Sequence, residues 1–249
     1  MRPTLWLFLS LCTVRLFAAD PIISPATNST PTNAAAPAAK KPDLAAFFQT
    51  HWTDRVHAFN EQNLAWRNVV LLGDSITEGF DIAQYFPGRR VLNRGISADV
   101  IGNDLPAGDH RGVLRRLDSS VYDCAATDVF ILIGINDLGD GHSVDEMAQG
   151  YHEMLQRIRT NAPAVRIHIE SVLPTRGNYA HHNANIRAFN DRLRQLAVEF
   201  GCDYLDLHAL MTDEHGELKA EYTREGLHLT APAYAVWQAA ILKAMGWDK

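Results

Sequence analysis

The sequence predicts an α/β fold built on a five-stranded, mostly parallel sheet with helices on both faces. Two observations predict it. Short apolar stretches recur at 69–72, 91–92, 129–133, 165–169 and 204–207, all but the second as long as a short strand of a sheet covered on both faces. Stretches of helical periodicity lie between several of them, notably 144–160 and 183–200, and strands that alternate with helices pair in parallel.

The 249 residues, 47% of them hydrophobic, can enclose one large core, and no compositional break after Val69 marks a second domain. The formal net charge is −6 and no block of Lys or Arg occurs. Nucleic acid is therefore excluded as the main partner, since phosphate binding needs a basic surface.

At the N-terminus, Arg2 precedes an apolar run at 5–14 and the small pair Ala18-Ala19. That order predicts a secretory signal over 1–19 and an exported protein, whether periplasmic, cell-surface or secreted. Phe17 is large for a position three residues before the cut, so the alternative expectation is an uncleaved segment that tethers the chain to a membrane. Residues 20–42 are mostly Pro, Ala, Thr, Asn and Ser. They offer little to bury and predict a linker, leaving 43–249 as the folded domain. Asn28-Ser29-Thr30 in that tract reads as a chance triplet.

Leu44, Phe48, Trp52, Val56 and Phe59 recur every three or four residues and predict an amphipathic packing helix before the first strand. His51 and His57 fall beside that stripe and are not expected to be ligands. Ser143 with Glu146 forms a capping-box pattern at the start of the 144–160 helix. Cys124 and Cys202 each precede a predicted strand; they form either one disulfide or two small core residues.

Ligands of open parallel sheets bind beyond the carboxyl ends of the strands. Ser75, Gly95 and Asn136 each follow a different predicted strand by a few residues, so all three fall on one rim. A serine at a strand-to-helix junction exposes its hydroxyl for attack on an acyl carbon. The tetrahedral intermediate then needs donors around its oxyanion. The expected donors are the backbone N–H of Ser75, the backbone N–H of Gly95 and the side-chain amide of Asn136.

His228 is the expected base, an imidazole being neutral and basic around neutral pH. Glu225, three residues earlier, is the expected orienter of its other ring nitrogen. Asp74 and Asp137 are expected to hold loops by accepting backbone N–H bonds. His181, His182, His208 and His215 lack the spacing of a metal site, so neither a metal nor a cofactor is called for.

The blocks around Ser75, Gly95, Asn136 and His228, with Leu72-Gly73-Asp74-Ser75-Ile76-Thr77-Glu78-Gly79 as the first, resemble those of the SGNH, or GDSL-like, hydrolase superfamily. The resemblance runs from about Trp52 to Trp237. It implies a three-layer flavodoxin-like sandwich, a metal-free acyl-enzyme mechanism and hydrolysis of carboxylic esters. Members include lysophospholipases, arylesterases, platelet-activating-factor-acetylhydrolase-like proteins and carbohydrate O-acetylesterases. The family's usual fourth block has Asp three residues before His, where this chain has Glu225.

Arg176, Asn178 and Tyr179, with Pro174 and His182, make a polar and aromatic segment after the fourth strand. It is expected to bind substrate, suiting a short acyl group on a polar alcohol such as an acetylated glycan. The alternatives are a lysophospholipase, a polysaccharide O-acyltransferase using the same residues, and a noncatalytic glycan-binding module.

Overall fold

The computed structural model describes residues 43–63 and 68–248. The expected signal segment at 1–19 and linker at 20–42 lie outside the described residues, as does the Asn28 triplet.

Helix α1 (Leu44–Gln62) opens the domain, with the Asp43 side chain accepting the Ala46 N–H as its cap. Phe59 is its one fully buried residue, and Leu44, Phe48, Trp52 and Val56 are half-buried on the expected face. Five strands follow: β1 (Asn68–Gly73), β2 (Val91–Gly95), β3 (Ala126–Leu132), β4 (Arg166–Glu170) and β5 (Asp203–Leu205). All pair in parallel in the order β2-β1-β3-β4-β5, which is the expected three-layer, flavodoxin-like arrangement.

Every residue of β1 is buried, as a central strand covered on both faces requires. Two strands differ from expectation. β2 continues past Leu92 through Asn93 and Arg94 to Gly95, in register with Leu71, Leu72 and Gly73. β5 ends at Leu205, because Asp206 caps the next helix by accepting the Ala209 N–H.

After β1 come the single-turn helices α2 (Ser75–Glu78) and α3 (Ile82–Tyr85); after β3 comes α4 (Ile135–Asp140). The long helices α5 (Val144–Asn161) and α6 (Asn183–Phe200) bury Tyr151, Leu155 and Ile158, and Ile186, Phe189 and Leu193, respectively. The expected capping box of Ser143 and Glu146 starts α5. α7 (Leu207–Met211) and α8 (Ala231–Ala244) complete the layers, and Trp237 of α8 is fully buried. Cys124 and Cys202 are both free thiols, so the bridge does not form; Cys124 is the expected core residue, whereas Cys202 is only partly buried against the core. Among the described residues no helix is long and apolar enough to cross a membrane.

The order reverses between β1 and β3, where crossovers leave in opposite directions and open a crevice at the strands' carboxyl ends. Ser75 leaves β1 and Asn136 leaves β3 at that point.

Candidate active site

Ser75 is the first residue of α2, directly after Asp74, whose side chain caps the turn by accepting the Ile76 N–H at 2.9 Å. Gly73 leaves no room for a side chain: a Cβ there would lie 2.3 Å from the Leu132 carbonyl oxygen. Such a strand-to-helix junction directs the serine hydroxyl away from the sheet. Ser75 Oγ stands 3.1 Å from His228 Nε2.

On its other side, His228 Nδ1 lies 2.5 Å from Glu225 Oε1, and the same oxygen accepts the His228 backbone N–H at 2.7 Å. Thr223 Oγ1 donates to Glu225 Oε2 at 3.2 Å and accepts the Gly226 N–H at 2.8 Å, fixing the turn that lets the glutamate fold back. Burial would raise the Glu225 pKa, but the bonds from His228 outweigh it and hold the carboxyl below its ordinary range. Serine, histidine and glutamate thus form one continuous hydrogen-bonded line. The His228 side chain is 52% exposed, so the line opens directly to solvent.

Asn136, the second residue of α4, donates Nδ2 to the Asp99 carbonyl at 2.9 Å. That leaves its second amide hydrogen for a ligand. Asp74 and Asp137 hold loops as expected. Asp137 accepts the Ile101 N–H at 3.0 Å, tying α4 to the loop after β2. Burial pushes both carboxyls up to about 7.

Gly95 departs from its expected role. Its N–H donates to Asn93 Oδ1 at 2.9 Å, and its carbonyl accepts from Arg55 Nη2 at 2.8 Å, so it presents no free donor. The residue must be glycine for a packing reason instead: a Cβ would sit 2.1 Å from the Glu78 nitrogen and 2.6 Å from its Cα. Asn93 completes this joint by donating Nδ2 to the carbonyls of Thr77 and Phe80 at 2.7 and 3.0 Å.

Three residues on, Ala98 has φ +63°, a left-handed conformation uncommon for alanine. Neither its N–H nor that of Ser75 has a hydrogen-bond partner among the described residues. Its carbonyl accepts from Arg111 Nη1 at 2.7 Å. Asp99 is fully buried and accepts from Trp52 Nε1, Gly112 N and Arg116 Nε. Arg116 also donates to the carbonyls of Gly73 and Arg94, each at 2.9 Å, clamping the ends of β1 and β2. Sequence reasoning missed Ala98, because an alanine carries no mark of a positive φ as a glycine does.

Arg176 also departs from expectation. Its Nε donates to the Leu218 carbonyl at 2.6 Å, and its guanidinium pairs with Asp213 and, at 3.4 Å, with Glu217. It braces a loop and is not free to grip a substrate. Its backbone N–H donates to the Gly226 carbonyl at 2.8 Å, joining the 176–182 segment to the turn of His228. Tyr179 packs beside Gly226, and Asn178 is exposed. Both lie on the segment that the Arg176–Gly226 bond joins to the turn of His228. Among the described residues no three His, Cys, Asp or Glu side chains group as metal ligands.

The model of the GDSL-like Lipase/Acylhydrolase family matches residues 71–236, which hold every block just described. The chain belongs to this family. Among solved structures, this GDSL-like chain is similar to a protein of Streptococcus pneumonia provisionally called a platelet activating factor. The two are 25% identical with a TM-score of 0.71, over 81% of this chain and 95% of that one. A GDSL-like lipase of Bacteroides thetaiotaomicron shares the fold, with a TM-score of 0.66 at 21% identity over 80% and 98% of the chains. So does an acetylxylan esterase of Geobacillus stearothermophilus, with a TM-score of 0.57 at 18% identity over 74% and 98%. N-acylneuraminate cytidylyltransferase of Streptococcus agalactiae serotype V is 26% identical over 170 residues, 68% of this chain and 37% of its own. The match thus spans between about a quarter and little more than a third of the length of the curated relatives.

Proposed function

We propose that this GDSL-like protein is an exported serine esterase that removes short acyl groups, in particular O-acetyl groups from carbohydrates, through an acyl-enzyme on Ser75. The observation that carries the reading is the line from Ser75 Oγ through His228 to Glu225, with contacts of 3.1 and 2.5 Å.

In the first step His228 Nε2 takes the Ser75 proton as Oγ bonds to the acyl carbon, and the carbonyl oxygen becomes an oxyanion. The N–H groups of Ser75 and Ala98 and the free amide hydrogen of Asn136 stabilise it, with Ala98 in place of Gly95. When the tetrahedral adduct collapses, the ester C–O bond breaks and the imidazolium returns its proton to the leaving alcohol. Water, deprotonated by His228, then attacks the acyl-serine; the acyl–Oγ bond breaks, the imidazolium returns its proton to Ser75 Oγ, and the acid is released. Glu225 keeps the ring oriented throughout and faces the positive charge it acquires.

The polar 176–182 segment beside the His228 turn supports a hydrophilic alcohol over a long lipid chain. The acetylxylan esterase among the structural neighbours supports the same class. The order Arg2, an apolar run at 5–14 and Ala18-Ala19 supports export. The test is pre-steady-state turnover of an activated acetyl ester, followed by acetate release from O-acetylated xylan and an O-acetylated sialic acid. A burst of alcohol that Ser75→Ala abolishes supports the reading, and steady turnover by Ser75→Ala removes the serine from the mechanism.

A further inference from the structure

Glu78 lies three residues after the nucleophile, at the end of α2, and its carboxylate reaches away from the reaction. Oε2 accepts the Ser97 backbone N–H at 2.6 Å and the Ser97 hydroxyl at 2.7 Å. His51 Nε2 from α1 lies 3.0 Å from Oε1, and Arg55 Nε is 3.5 Å from the same oxygen. Arg55 also holds the Gly95 carbonyl. Burial would raise the Glu78 pKa, yet the Ser97 and His51 bonds keep it below the ordinary range, so the group is a carboxylate.

The peptide anchored at Ser97 leads directly into Ala98, held left-handed at φ +63°. A β-carbon disfavours that conformation, so it persists only where the neighbours fix both sides. On the far side they do: Arg111 takes the Ala98 carbonyl, and buried Asp99 is bound by Trp52, Gly112 and Arg116. On the near side the side-chain anchor is Glu78.

We propose that Glu78 is a positioning residue for catalysis: backed by His51 and Arg55, it pins Ser97 so that the Ala98 N–H stays aimed at the oxyanion. The nucleophile's helix thereby also sets the opposite wall of the oxyanion pocket. Ser75 and Ala98 keep a fixed separation because both are fastened to one four-residue turn. The proposal rests on the reading of Ala98 as a donor in an acyl-enzyme mechanism.

The test compares kcat and KM for an activated acetyl ester, together with the rate and stoichiometry of Ser75 labelling by a fluorophosphonate. Glu78→Ala is expected to lower kcat by at least about 10-fold with KM within about 2-fold, and to slow labelling without reducing its final extent. Glu78→Gln keeps one oxygen for Ser97 and is expected to stay within about 3-fold of the parent. Adding Ala98→Gly to Glu78→Ala removes the penalty on a positive φ, and is expected to restore at least about 3-fold of the lost kcat. A general loosening of α1 and α2 would not be relieved by glycine at 98. Unchanged kcat in Glu78→Ala, or a loss that Ala98→Gly leaves unmoved, overturns the proposal. If Glu78→Ala does not fold, Ser97→Ala deletes one of the two anchoring bonds; a kcat loss of about 3-fold supports the proposal and none overturns it. Failure of the underlying esterase reading gives a different result, with no labelling of Ser75 in the unaltered protein.

Discussion

Glu225 holds His228 at two points, its Oε1 lying 2.5 Å from Nδ1 and accepting the backbone N–H at 2.7 Å. Glutamate is one methylene longer than the aspartate of the related hydrolases, and the turn fixed by Thr223 and Gly226 takes up that length. Gly226 can make the turn because its φ is +105° and a Cβ would lie 2.1 Å from the Arg176 carbonyl oxygen.

Replacing Glu225 by Gln keeps the shape and removes the charge that faces the imidazolium. We expect kcat for an acetyl ester to fall about 10²- to 10⁴-fold, with KM changed by less than about 3-fold. Steady-state kinetics of the purified variant measure this. Rates equal to the parent's would assign the orienting role to another group.

Gly95 and Ala98 should respond in opposite ways to exchange. Gly95→Ala drives a Cβ into the Glu78 backbone and is expected to destabilise the fold by about 1–3 kcal/mol, lowering Tm by several degrees. Ala98→Gly relieves a left-handed alanine while adding chain entropy to the unfolded state, and these terms nearly cancel. We expect its Tm to stay within about 3 °C and its kcat within about 3-fold. Calorimetry and kinetics on the two variants check both statements.

Stability should decline from weakly acid to weakly alkaline pH. Burial pushes Glu170 up to about 8 and Asp74 and Asp137 up to about 7, whereas the unfolded chain titrates these groups near ~4. Between those values the folded protein holds protons that the unfolded chain has released. The contribution is therefore full below about pH 4 and is lost as pH rises through 7 to 8. Glu170→Gln keeps an oxygen for Trp237 Nε1, which now donates to Glu170 at 2.6 Å. It should raise Tm at pH 8 and flatten the profile; a slope identical to the parent's contradicts the assignment.

Arg176→Met should report on loop bracing. Losing the bonds to Leu218, Asp213 and Glu217 is expected to cost about 1–2 kcal/mol of stability. The kcat for a short activated ester should change by less than about 3-fold. A large rise in KM with unchanged Tm would return Arg176 to the substrate.

The central strands were legible in the sequence because burial on both faces writes a continuous apolar run, as in β1. The end of β2 was not, because Asn93 and Arg94 are polar. Each is buried or half-buried for a partner distant in sequence: Asn93 ties down the carbonyls of α2, and Arg94 stacks over Phe59 and bonds Gln62 and Asn63. The junction serine and the Glu225–His228 spacing were readable because their geometry is local. Gly95 misled because glycine signals close approach without saying to what; here the neighbour is the Glu78 backbone. Arg176 misled because a lone arginine near a rim shows no sign of the Asp213 and Glu217 that neutralise it from another loop.

The most direct test of the account is labelling of the full chain with a fluorophosphonate, followed by peptide mapping. One equivalent of label is expected on Ser75 and none on Ser75→Ala, and His228→Ala is expected to abolish labelling. Label on another residue, or undiminished labelling without His228, would contradict it.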